Sequence, residues 1–257
     1  MKHQIYPLSI GLLLLLSFCA CKKGSPDLPV HNSPTLDQLY DDAVLDAMVA
    51  DSNEISHQLV PVVKSNEMLS WKSSSGEDYV LAVTFTDSAW QNVSSDAVEL
   101  DMGEQWVSMV PELRKRIAED VFTSDSAISL RASQLVGIPY LGDNTFFVEF
   151  LVRPEDMFRP TPDAEITDNT AGLYFPANAT QEHIDWINGA IIFAYYPGEG
   201  ESKYPFTRLG YCYDWGKPND EYGVSEFVVS KGAKVILSAV YTSSEYLALD
   251  DHYTLNW

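Results

Sequence analysis

The run Phe146–Val152 (FFVEFLV) constrains this chain more than any other stretch. Six of its seven residues are apolar, and only Glu149 interrupts them. A strand with one wet face alternates apolar and polar residues. A nearly continuous apolar run of this length is buried on both faces and so belongs in the middle of a sheet with material above and below it. Asp78–Phe85 (DYVLAVTF) is β-branched and aromatic and reads as a second strand, with Gly76 in the turn before it. Trp106–Val110, Ile191–Tyr196 and Lys234–Tyr241 read as further strands, the last following Gly232.

Helical signals cluster earlier in the chain. Thr35 and Gln38 form a capping-box pattern. Leu36, Leu39, Tyr40, Ala43, Val44, Ala47 and Met48 then recur at the spacing of one helical face. Ile55–Val63 is a weaker segment, limited by Pro61. Pro111 suits the first turn of a helix over Pro111–Val121. Ser126–Val136 is a short helix stopped by Gly137 and Pro139, and Thr180 caps another that reaches about Asn188. Helices that come first, strands that crowd later and the lack of an internal repeat predict a single α+β domain. Its sheet is mostly antiparallel, with helices packed on one side.

The formal net charge of −21 disfavours nucleic acid and anionic headgroups as partners. Histidines 3, 31, 57, 183 and 252 are scattered, and no HExxH or CxxC pair is present, so neither a metal nor a cofactor is expected. There is also no GxSxG, P-loop or GxGxxG motif.

Met1–Cys21 (MKHQIYPLSIGLLLLLSFCAC) opens with Lys2 and continues into an apolar core over Leu8–Phe18. That core is shorter than the ~20 residues needed to cross a bilayer. With Ala20 before Cys21, the stretch resembles a bacterial lipoprotein signal. The resemblance implies that residues 1–20 are removed, that Cys21 is acylated, and that residues 21–34, with Lys22–Ser33 reading KKGSPDLPVHNS, form a flexible tether to a globular domain over 35–257. Phe18 and Cys19 depart from the usual pattern. Lys22 is not the aspartate associated with inner-membrane retention, which implies an outer-membrane address in the cell envelope. Removal of Cys19 and acylation of Cys21 leave Cys212 as the lone thiol, a packed residue between two tyrosines rather than a nucleophile.

The blocks WVSMVPEL, SLRASQLVGIPY, FVEFLVRPEDMFRPTPD, YPFTRLGYCYDWG and GVSEFVV are similar to blocks in a group of uncharacterised bacterial proteins. The likeness spans residues 106–240, implies one folding unit and transfers no chemistry. The tripeptides Asp87–Ala89 and Asp125–Ala127 resemble the O-glycosylation acceptor of exported Bacteroidota proteins, at Ser88 and Ser126.

Two places can carry chemistry. Residues 153–168 form a loop with Pro154, Pro160 and Pro162 and with Arg159. Tyr204–Val229 reads as a hairpin whose first strand interleaves Arg208, Tyr211, Tyr213, Asp214 and Trp215, and whose second apolar run, Val224–Val229, contains Glu226. Arginine recognises carboxylate or phosphate, and Tyr and Trp stack on sugars or bases. These seven residues would bind a glycan or small anionic ligand. Alternatively Asp214 and Glu226 flank a glycosidic bond, or join Arg208 in handling a nucleotide. A third reading is a structural envelope protein in which Arg159 pairs with Asp163 and Arg208 with Asp214 or Glu226.

Overall fold

The computed structural model describes residues 33–87 and 97–249. The proposed signal, Cys21 and Ser88 lie outside the described residues. In chain order the elements are α1 (Leu36–Ala47), β1 (Trp71–Ser74), β2 (Glu77–Thr86), β3 (Ala97–Glu99), β4 (Gln105–Met109), α2 (Val110–Ala118), α3 (Asp125–Leu135), β5 (Phe146–Val152), β6 (Met157–Phe158), α4 (Gln181–Tyr195), β7 (Tyr211–Tyr213), β8 (Tyr222–Ser225), β9 (Phe227–Val229), β10 (Lys234–Thr242) and α5 (Ser243–Ala248).

β5 does sit inside the sheet. It pairs with β10 on one side and β2 on the other, within the order β3-β10-β5-β2-β4-β9-β6; β1 pairs separately with β2. Every described pairing is antiparallel, and β7 and β8 form a second, two-stranded sheet. Alternation along β5 sends Val148, Phe150 and Val152 to one face, where they meet Val60, Val62 and Leu69 from the segment after α1. Phe147 and Leu151 go to the other face, beneath Leu113 and Ile117 of α2, Ala132 and Leu135 of α3, and Tyr246 of α5. The ring of Tyr246 stacks on Phe147 at 4.1 Å. Burying each such side chain contributes about 1.5–3 kcal/mol. Glu149 shares this second face. It is fully buried in the field of Arg114, and burial raises its pKa to about 7.

Local signals explain the helix starts. Thr35 accepts from Gln38 N while the Gln38 side chain returns to Thr35 N, closing the capping box. Thr180 caps α4 through His183 N. α4 then runs on to Tyr195, so Ile191–Tyr196 is not a strand. Its β-favouring residues are overruled by packing: Ile187, Ala194 and Tyr195 bury against Val44 of α1 and Phe206. β1, β3, β6 and α5 carry short patterns that sequence reading passed over. The run Val224–Val229 is also divided. β8 ends at Ser225, β9 begins at Phe227, and Glu226 is the residue at which the chain changes sheet.

Gly223 in β8 lies against two other backbones. A Cβ there would meet Cys212 O at 2.3 Å and Leu135 O at 2.5 Å. Because neither carbonyl can move without disturbing β7 or the end of α3, Gly223→Ala is expected to cost more than about 2 kcal/mol, measured by chemical denaturation.

Candidate functional site

The seven residues singled out in the sequence fall into three settings. Asp214 is the centre of the first. It has no exposed surface, and Arg131 of α3 grips it in a two-pronged pair, Nη1–Oδ1 2.6 Å and Nη2–Oδ2 2.7 Å. Arg131 Nε reaches Asp120 at 3.0 Å, and Gly216 N donates to Asp214 Oδ1 at 3.2 Å. Arg116 of α2 comes within 3.9 Å of the same carboxylate while donating to Tyr222 O and Gly223 O. Asp214 thus joins the β7–β8 hairpin to two helices. Its partner is Arg131, not the Arg208 expected from the sequence. Trp215 and Tyr213 complete the joint: Trp215 Nε1 donates to Ile138 O at 3.0 Å, and Tyr213 Oη donates to Asp46 of α1 at 2.7 Å. Tyr211 Oη donates to Glu54 O at 3.1 Å, and its ring lies 4.8 Å from that of Tyr222.

The two arginines form the second setting, and the structure does not bring them together with Asp214. Arg159 is buried, and its Nη1 pairs with Asp168 at 2.6 Å rather than with Asp163. It also donates to the backbone oxygens of Asp168 and Thr170. Arg208 donates through Nη2 to Ala47 O and Met48 O, both at 3.0 Å. α1 has no basic residue in its last turn, and Arg208 supplies the missing cation to those C-terminal carbonyls. Arg208 holds φ at +60°, a left-handed conformation uncommon for a side-chain-bearing residue.

Glu226 belongs to the third setting, a cavity of about 410 Å³. The cavity exists because the sheet parts. β2 stays paired with β5 as far as Thr86, but its ladder with β4 stops at Val83, opposite Ser108. Beyond that point β4 turns to pair with β9. A bond from Gln105 Nε2 to Thr84 Oγ1 at 3.0 Å spans the gap. The walls come from the splayed strands, from Val136 and Ile138 after α3, from Ala190, Phe193 and Ala194 of α4, and from the Tyr204–Phe206 segment. Cys212 of β7 and Glu226 face it from the hairpin side. Asp214 does not line it, so Asp214 and Glu226 do not form a facing pair.

The cavity lining is mainly apolar and, among the described residues, contains no Lys, Arg or His. Glu226 lines the cavity and retains some accessible surface. Its backbone N donates to Gly210 O at 3.0 Å, and the Cys212 thiol approaches its Oε1 at 3.5 Å. Burial pushes its pKa up to about 8. The Cys212 thiol is likewise pushed well up, by burial first and by Glu226 second, which suits a packed thiol and not a thiolate nucleophile. Behind this wall Glu112 of α2 accepts from Ser225 N and Oγ, both at 3.0 Å, and burial raises its pKa to about 7.

No family model, curated protein or solved structure matches the chain. Among the described residues no group of three or more His, Cys, Asp or Glu stands close enough to hold a metal ion, and no helix is long and apolar enough to cross a membrane.

Sequence reasoning singled out Glu226 and Cys212 but not the space they face. That space is assembled from segments far apart in the chain, and the deciding event is the parting of two strands. Arg131 was missed as well. Its neighbours in α3 read as an ordinary helix, and only the fold reveals Asp214 beneath it.

Proposed function

We propose that this protein is a lipid-anchored module of the bacterial cell envelope, tethered through Cys21 at the outer membrane, which binds a small and largely apolar molecule in the cavity beside Glu226. The cavity carries this reading. It is of ligand size, has mostly apolar walls, and presents one carboxyl group among a few polar side chains, the usual make-up of a small-molecule site. A glycan or anion reading has less support, because Arg159 turns its Nη atoms to Asp168 and Thr170 O, Arg208 turns Nη2 to Ala47 O and Met48 O, and neither arginine lines the cavity. Hydrolysis by Asp214 and Glu226 has less support too, since Arg131 covers Asp214 away from the cavity.

An environment-sensitive apolar dye tests the site. It should bind wild-type protein with one saturable site and leave Ala190→Phe, whose ring would enter the cavity, with at least tenfold weaker binding. Equal binding by both proteins, with Ala190→Phe folded, would remove the cavity from consideration. The tether is tested separately: Cys21→Ser should release the protein from the membrane fraction of cells and abolish incorporation of a palmitate analogue.

A further inference from the structure

The carboxylates of this protein are not treated alike. Asp214 has Arg131 at 2.6 Å, Glu149 lies in the field of Arg114, and Glu112 receives two hydrogen bonds from Ser225. Glu226 has a thiol at 3.5 Å, a weak donor at long range. Among the described residues no cation lines the cavity it faces. A carboxylate with little water around it favours either a proton or an opposite charge, and among the described residues no such charge lines the cavity. Aromatic rings stand in the same walls: Trp106, Phe193, Tyr204 and Phe206. Ring faces attract cations even at partly open positions, as here, where Trp106 and Phe193 are 37% and 63% exposed and Phe206 is buried. The chain as a whole carries −21, which draws cations toward it and repels anions.

We infer that the cavity is shaped for an organic cation, an amine or quaternary ammonium on an apolar body, with its charge against Glu226 and its body against Trp106, Phe193, Tyr204 and Phe206. This rests on the reading of the cavity as a ligand site and names the class of ligand. The occupant supplies the charge that Arg131 supplies to Asp214 elsewhere in the fold.

The groups around Glu226 bear on how binding responds to pH. They are Cys212 and Tyr213 on β7, Tyr204 on the incoming segment, Glu112 on α2 and Tyr195 on α4, whose hydroxyl feels both Glu226 and Arg208. With its pKa near 8, Glu226 is mostly protonated at pH 6 in the empty protein. A cation then binds with release of one proton. Its affinity should rise about tenfold per pH unit from pH 6 to 8 and level off above. The phenol of Tyr195 and the thiol of Cys212 are raised by burial and stay neutral over this range.

The experiment uses three probes of one shape, 4-phenylbutylamine, 4-phenylbutanol and 4-phenylbutyrate, titrated by calorimetry and by dye displacement. At pH 8.5 the amine should bind wild type at least tenfold more tightly than the alcohol, and the carboxylate should bind weakest. Glu226→Gln should erase the preference for the amine while leaving the alcohol within about twofold. If that variant does not fold, the amine-to-alcohol affinity ratio of wild type at pH 8.5 decides the matter. Alcohol binding as tight as amine binding at pH 8.5 would overturn the cation inference and leave the cavity reading in place. Failure of all three probes and of the dye would overturn the cavity reading itself.

Discussion

Asp214→Ala is expected to destabilise the protein by about 3–5 kcal/mol, the loss that follows when one member of a buried ion pair is removed and the other stays behind uncompensated. Arg131 would remain nearly buried, with only Asp120 to answer its charge. For a domain of this size the melting temperature should fall by on the order of 10 °C. Arg131→Met should act in the same direction, since it leaves Asp214 with Arg116 at 3.9 Å and the amide of Gly216. The double variant, with Arg131→Met and Asp214→Leu together, should lose less than the two single losses added, because neither charge is then stranded. Thermal melts of the four proteins measure this. A melting temperature for Asp214→Ala within about 2 °C of wild type would mean that the joint between hairpin and helices does not rest on this pair.

The second large effect concerns pH. Burial raises the Glu226 pKa from 4.5 to about 8, and Glu112 and Glu149 to about 7 each. A carboxyl whose pKa is higher in the folded state binds more protons folded than unfolded. Its contribution to stability is therefore complete below pH 4.5 and is lost as pH rises through the folded value. All three groups act in this direction, so the empty protein should be most stable in mild acid and should weaken steadily toward pH 9. Glu226 alone should account for up to about 4 kcal/mol of that decline, since one pKa unit corresponds to about 1.4 kcal/mol and the side chain keeps some contact with water. Asp78 and Glu245 work the other way. Lys64 holds Asp78 low, and the backbone of Thr242 holds Glu245 low, so their support disappears only in stronger acid. Denaturant titrations at pH 5, 7 and 9 should show the alkaline loss in wild type and a flatter profile in Glu226→Gln. The same loss in both proteins would assign it elsewhere.

Much of the fold could be read from residue types. The density of FFVEFLV placed β5 inside the sheet, and the Thr35–Gln38 pattern marked the start of α1, because both signals are local. Ile191–Tyr196 misled for the opposite reason. Ile-Ile-Phe-Ala-Tyr-Tyr favours a strand on its own, and only the burial of Ile187, Ala194 and Tyr195 against α1 and Phe206 keeps the helix going. Ion-pair partners were the least legible feature. Arg159 lies closer in sequence to Asp163, but the loop returns to present Asp168, and Arg208 passes over the nearby carboxylates to the end of α1. Sequence separation says little about which charge a folded chain brings back. The cavity lay further out of reach, since it depends on where one ladder stops.

Glu226 stands where the chain steps from the β7–β8 ribbon into the main sheet, with its amide tied to Gly210. Anything that grips its side chain also grips that crossover. Occupancy should therefore slow deuterium uptake at Glu226, at Phe227 and along β9 out to β6, well away from the bound molecule itself. If the cavity is filled as proposed, its filled state is registered along β9 and β6, at the end of the main sheet.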